Sequence, residues 1–124
     1  MYHFDNTSKP PAPYLEVFVR HPQTRAEFKV AAKLDTGASK SAIPAAIAVA
    51  LNLETMGKLM VQGFNQVSDK YPVHYVELEV ADLKLPMFPV IALPRKDILL
   101  GRDILNHFII TLDGKALTFD IRDP

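Results

Sequence analysis

The sequence predicts a small, mostly β domain, closed or nearly closed on itself, with one or two short helices. Three observations predict it. Short runs of alternating apolar and polar residues recur along the chain. Turn-forming residues separate those runs at close intervals. Only 44–51 and 101–108 read as helical, and both are short.

Taken in order, residues 1–13 are polar and end in Pro10, Pro11 and Pro13. They read as a flexible arm leading into a domain over 14–124. Tyr14 to Arg20 puts Leu15, Val17 and Val19 on one face, which is a strand pattern. His-Pro-Gln-Thr follows as a turn. Ala26 to Leu34 alternates again, with Phe28, Val30, Ala32 and Leu34 on one face. These two runs make a hairpin that leads directly into Asp35-Thr36-Gly37. Pro44 to Leu51 is Ala-rich, with Pro44 at a plausible first helical position.

Lys58 to Gln62 and Tyr71 to Val80 read as strands flanking a loop over 63–70. Val76, Leu78 and Val80 oppose Tyr75, Glu77 and Glu79. Pro86 and Pro89 imply that a strand over Leu83 to Leu93 is broken or lies at an edge. Asp97 to Leu100 is a short apolar run ended by Gly101, and a two-turn helix is expected from Gly101 to Phe108. Asp113-Gly114 predicts a tight two-residue hairpin, since both central positions favour positive φ.

The whole chain bounds the function. Its 124 residues, 48% of them hydrophobic, suffice for one core but not for two lobes. Lys plus Arg and Asp plus Glu both number 14, so there is no basic excess to indicate a nucleic-acid partner. With no Cys there is no thiolate metal site and no cysteine nucleophile. His3, His21, His74 and His107 are scattered, so neither a metal nor any cofactor is expected. There is no P-loop and no dinucleotide fingerprint. The longest apolar stretch, Ala42 to Leu51, is half the length a bilayer helix needs, so no membrane partner is expected. The opening residues have no secretory pattern, and a cytoplasmic location is the default expectation.

One motif carries chemistry. Asp-Thr-Gly arises by chance about a few times in a hundred chains of this length, and Asp-x-Gly is ordinary turn material. Its context separates it from a plain turn. An apolar alternating strand precedes it, and Ala38-Ser39-Lys40-Ser41-Ala42-Ile43 follows. Farther on, Ile98-Leu99-Leu100-Gly101-Arg102-Asp103 puts large apolar residues before a glycine and a helix after it.

On these residues the chain resembles the retropepsin-like aspartic proteases, from about Tyr14 to Ile121. Leu34 to Ser39 match that family's catalytic loop. Leu99, Leu100 and Gly101 match the segment packed beside it, and Arg102 and Asp103 open the helix as the family's residues do. The resemblance implies an all-β acid-protease barrel, partly open or closed, with one lobe per chain. It implies an aspartic endopeptidase with Asp35, Thr36 and Gly37 as its catalytic tripeptide. Ala38, Gly63, Phe64 and Asn65 are the implied substrate-binding residues, the last three at the tip of a flap hairpin spanning about Met60 to Tyr71. The Thr36 hydroxyl is expected, by the same resemblance, to reach across a dimer.

The chemistry fits the residue types. Peptide hydrolysis needs a base to activate water and an acid to protonate the leaving group. Two carboxylates about 3 Å apart share one proton and supply both roles, as is established for aspartic proteases. Only one Asp-Thr-Gly is present, so the second carboxylate is expected from Asp35 of another copy in a C2 homodimer. The partners expected are therefore a second copy and a peptide or protein substrate. Ala38 has no hydroxyl to offer the carboxylate, which predicts a mildly rather than strongly acidic optimum. The flap tip holds only one glycine, Gly63, and this supports an alternative: a dimerisation or peptide-binding module with little catalysis.

Overall fold

The computed structural model describes residues 1–62 and 68–124. Among the described residues, ten strands and two short helices follow one another along the chain. They are β1 (Tyr2–His3), β2 (Tyr14–Arg20), β3 (Glu27–Leu34), β4 (Ala42–Pro44), α1 (Ala45–Ala50) and β5 (Lys58–Gln62), then β6 (Ser68–Val80), β7 (Leu83–Leu93), β8 (Ile98–Leu100), α2 (Arg102–Leu105), β9 (Ile109–Asp113) and β10 (Thr118–Arg122).

Six strands close a barrel in the order β2, β3, β8, β4, β7, β6, with β6 returning to β2. The closing seam pairs Phe18 with Glu79, Val19 with Leu78 and Arg20 with Glu77. On β2 and β6 the inward residues are those the alternation singles out. Val17, Val19, Val76, Leu78, Val80, Ile98 and Leu100 are fully buried. β3 follows its pattern only at its far end. Ala32 and Leu34 are buried, whereas Phe28 lies exposed, because β8 pairs with β3 only from Ala32 to Leu34 while β6 covers the matching end of β2.

The closing seam carries charge. Glu77 is buried, and its carboxylate accepts from both Arg25 and Arg20 at 2.9–3.1 Å. Arg25 first, then Arg20, holds its carboxyl below the ordinary carboxylate range. Arg20 also pairs with Glu27 and Glu79, and these bonds raise its already high value further.

Several expectations need correction. The arm over residues 1–13 is docked rather than free at its start. Tyr2 and His3 pair with Phe119 and Thr118 of β10, and the Tyr2 ring stacks on Phe119 at 5.1 Å. Contact of Tyr2 and Phe4 with the buried Phe119 ring outweighs the polar composition around them. Strand β4 has no counterpart in the sequence reading. Its three residues are all buried, between parallel β7 and antiparallel β8, so alternation could not mark them. Pro44 caps α1 with extended backbone instead of opening it. α2 is one turn, not two.

β7 is continuous but irregular, as its prolines require. The register slips opposite Val76 and Leu78, and Met87 takes φ +50°. Pro86 and Pro89 both lie before Ile91, where β4 joins the other side of β7. The missing N–H groups are therefore at an unpaired edge. The β9–β10 hairpin departs from its sequence signal. Asp113 pairs with Thr118 across a four-residue loop, closed by the Ala116 N–H donating to Asp113 Oδ1 at 2.9 Å, with Leu117 at φ +57°. The tight two-residue turn is instead Ala81-Asp82, with φ +46° and +69°.

Candidate active site

β3 delivers Asp35. Its last residue, Leu34, lies beside Leu100 in parallel pairing, and the Asp35 N–H donates to the Leu100 carbonyl at 2.9 Å. The chain then turns: the Ala38 N–H returns to the Asp35 carbonyl at 3.2 Å. Within this turn the Gly37 N–H donates to Asp35 Oδ1 at 2.9 Å and so orients the carboxylate. A Cβ on residue 37 would stand 3.2 Å from that same oxygen, so glycine lets the carboxylate sit against the backbone. Among the described residues, Oδ2 has no protein partner. Thr36 and Gly37 are exposed at the tip of the turn.

The loop is clamped from behind by a second turn of chain. Ser41 is 1% exposed, and its hydroxyl is bonded on both sides. It donates to Asp103 Oδ1 at 2.6 Å and accepts from the Gly101 N–H at 2.9 Å. The Ser41 N–H donates to Asp103 Oδ2 at 3.1 Å, so one carboxylate grips both groups of this serine. Arg102 holds the loop twice more. Its N–H donates to the Ala38 carbonyl and its guanidinium to the Thr36 carbonyl, each at 2.8 Å. Gly101 is required for this closeness, since a Cβ there would meet Lys40 backbone atoms at 2.8 Å and the Ala38 carbonyl at 3.0 Å.

Asp35 opens on a cleft of about 750 Å³. Gly37, Ala38, Ser39 and Lys40 form one rim, and Leu59, Met60 and Val61 of β5 face them. Ile91, Leu93 and Leu99 supply an apolar floor. Arg95 also lines the cleft, its guanidinium engaged by Asp97 at 2.6–2.9 Å. A cleft with apolar walls, strand edges and one carboxylate suits an extended peptide.

Of the residues the sequence singles out, Asp35, Thr36, Gly37 and Ala38 come together in this turn. Gly63, Phe64 and Asn65 lie outside the described residues. Two features escaped the sequence reading. One is the clamp centred on Ser41; a polar residue opening the apolar run Ala42-Ile43-Pro44 was its signal. The other is the wall formed by Leu59 and Met60, which are apolar yet exposed on β5.

A family model described as aspartyl protease matches residues 26–104. Among solved structures, the chain is similar to the simian foamy virus (mac) protease, with 20% identity over 76% of this chain and 92% of that one and a TM-score of 0.56. It is similar to the EIAV protease complexed with the inhibitor HBY-793, at 20% identity, 77% and 86% coverage and a TM-score of 0.58. It is also similar to the retroviral protease-like domain of Ddi1 from Leishmania major, at 20% identity, 89% coverage of both chains and a TM-score of 0.52. No curated protein matches in sequence. The family match spans more than half of the chain and holds the Asp-Thr-Gly turn, and the barrel is that of the retroviral proteases; the chain belongs to the aspartyl proteases of the retropepsin-like kind.

Proposed function

We infer that this chain is one half of a homodimeric aspartic endopeptidase, with Asp35 of each protomer forming the catalytic dyad. The observation that carries the reading is the Asp35 carboxylate itself. One oxygen is fixed by the Gly37 N–H, and the other, without a protein partner among the described residues, can face a water, a substrate carbonyl or a second carboxylate. The exposed Thr36 and Gly37 leave the turn open to an identical turn related by a two-fold axis. In the shared-proton state, the ionised carboxylate takes a proton from water as that water attacks the scissile carbonyl. The protonated one then donates to the departing amine. The clamp behind the loop supports this chemistry, because it fixes the carboxylate before substrate arrives. The Leu59–Val61 wall and the apolar floor would hold the peptide on either side of the scissile bond.

The test is cleavage of an unstructured protein by wild type and Asp35→Asn, from about pH 4 to about pH 8, at several enzyme concentrations. The expected result is a rate per chain that rises with concentration, and a loss of at least about 10³-fold in the variant. Equal cleavage by both proteins would refute the assignment of Asp35. No cleavage by a folded wild-type dimer would favour a retropepsin fold kept for peptide binding.

A further inference from the structure

A second cavity, of about 180 Å³, lies outside the catalytic cleft and shares no lining residue with it. Three segments build it. The β2–β3 turn brings His21, the α1–β5 connection brings Glu54 and Met56, and the β6–β7 pair brings Tyr75 and Met87.

Four features of this cavity point to a ligand. Its apolar side chains stand in solvent: Met56 is 55% exposed, Met87 59% and Tyr75 36%. Methionines at a surface adapt to whatever apolar group enters. Met87 is held at φ +50° by the bulge in β7, an unfavourable conformation for a residue whose side chain gains no burial from it. The cavity lining also holds a donor. His21 Nδ1 accepts from the Gln23 and Thr24 N–H groups at 3.0 and 3.1 Å, so the proton of the neutral ring sits on Nε2. Nε2 has no protein partner among the described residues. Finally, the wall is preformed. The His74 ring nitrogen bonds the Glu54 carbonyl at 2.7 Å, and the Met56 N–H donates to the Val73 carbonyl at 2.7 Å.

Volume and charge specify the occupant. A cavity of about 150 Å³ accommodates a benzene-sized group, so one leucine, methionine or phenylalanine side chain fits here. The Glu54 side chain is exposed at the rim and forms no ion pair among the described residues, which suits a neighbouring cation. A peptide carbonyl would accept from His21 Nε2.

We propose that this cavity is an exosite for an extended protein segment that places a large apolar side chain beside a lysine or arginine. As a recruitment site for substrate it deepens the endopeptidase reading and rests on it. As a peptide-binding site it stands independently of catalysis.

The test is therefore a binding measurement. The blocked peptide acetyl-Ser-Phe-Arg-Ser-amide is titrated into ¹⁵N-labelled Asp35→Asn protein, which cannot consume it under the endopeptidase reading. Saturable amide shifts are expected at Gln23, Thr24, Met56, Tyr75 and Met87, with a Kd of about 1 mM, as suits a fragment. Met87→Asn keeps a residue that tolerates positive φ and removes the apolar wall; it should weaken binding at least about fivefold. Glu54→Gln, or Glu for Arg in the peptide, should weaken it about threefold or more. No saturable shift at these residues, or equal binding by Met87→Asn, would overturn the proposal. A protein without proteolytic activity that still binds the peptide here would overturn the endopeptidase reading alone.

Discussion

Ser41→Ala tests whether the clamp behind the Asp-Thr-Gly turn is what holds it. The substitution removes one hydroxyl from a site that is 1% exposed. Two bonds disappear with it. The Gly101 N–H, which is buried, loses its acceptor, and Asp103 loses its short bond at 2.6 Å. An orphaned buried donor costs about 1–3 kcal/mol, and a bond to a charged acceptor is worth about 1.5–3 kcal/mol. The two overlap, because Asp103 keeps the Ser41 N–H, so about 3 kcal/mol is the expected loss. For a domain of this length that corresponds to a Tm lower by about 12 °C. In urea, the midpoint should fall by roughly 1.5 M with the slope unchanged. Ser39→Ala, at an exposed position two residues earlier in the same loop, should stay within about 0.5 kcal/mol of wild type. In a double-mutant cycle with Asp103→Asn, the serine and the aspartate should couple by about 1 kcal/mol or more. A Ser41→Ala protein within about 0.5 kcal/mol of wild type would refute the clamp as the loop's support.

Three further predictions follow from the same structure. Gly101→Ala forces a methyl against Lys40 and Ala38 backbone at 2.8–3.0 Å, so it should cost about 1–3 kcal/mol and shift the Asp35 turn, read as perturbed amide resonances at 35–41. Glu77 has a folded-state value lowered by Arg25 and Arg20, so its stabilisation is complete above its unfolded value near 4.5 and is lost as pH falls through the folded one. Urea midpoints between neutral and acid pH should therefore drop less steeply below that value in Glu77→Gln than in wild type. Asp82→Gly places glycine at the second positive-φ position of the β6–β7 turn and should stabilise by about 0.5 kcal/mol; an unchanged urea midpoint would contradict that turn assignment.

Much of the barrel was legible because its strands are buried on one face. Leu15, Val17 and Val19, and likewise Val76, Leu78 and Val80, declare their face by alternation and are buried as a set. The Asp35 turn was legible for a different reason: Asp-Thr-Gly after an apolar strand is a rare local pattern. What failed were features set by partners distant in sequence. β4 is a strand only because β7 and β8 flank it. The hairpin signals misled in the same way. Ala81 and Asp82 take the positive φ values that register between two long strands imposes, while Asp113-Gly114, in a shorter pair, relaxes into a four-residue loop. Tertiary pairing overrides turn propensity when the strands on either side are long enough to fix the register.

The same distinction separates the candidate catalytic group from what positions it. Asp35 is named by its own tripeptide, but nothing local says that it is held. Its orientation depends on residues some sixty positions away, through Ser41 to Asp103 and Gly101, and through Arg102 to Thr36. All of those contacts lie behind the loop, away from the cleft. The front of the turn, with Thr36 and Gly37 exposed and one carboxylate oxygen unpaired among the described residues, is left for whatever completes the site. A loop braced from behind and open in front could meet the second copy proposed above without reorganising, and preorganisation of that kind is what a shared-proton carboxylate pair requires. On this account a change to the clamp should damage geometry before it damages chemistry. Ser41→Ala should lower kcat/KM by about tenfold or more at temperatures where the variant is fully folded, while leaving the shape of its pH profile intact. A variant with an altered pH profile and unchanged stability would instead make Ser41 part of the titrating site.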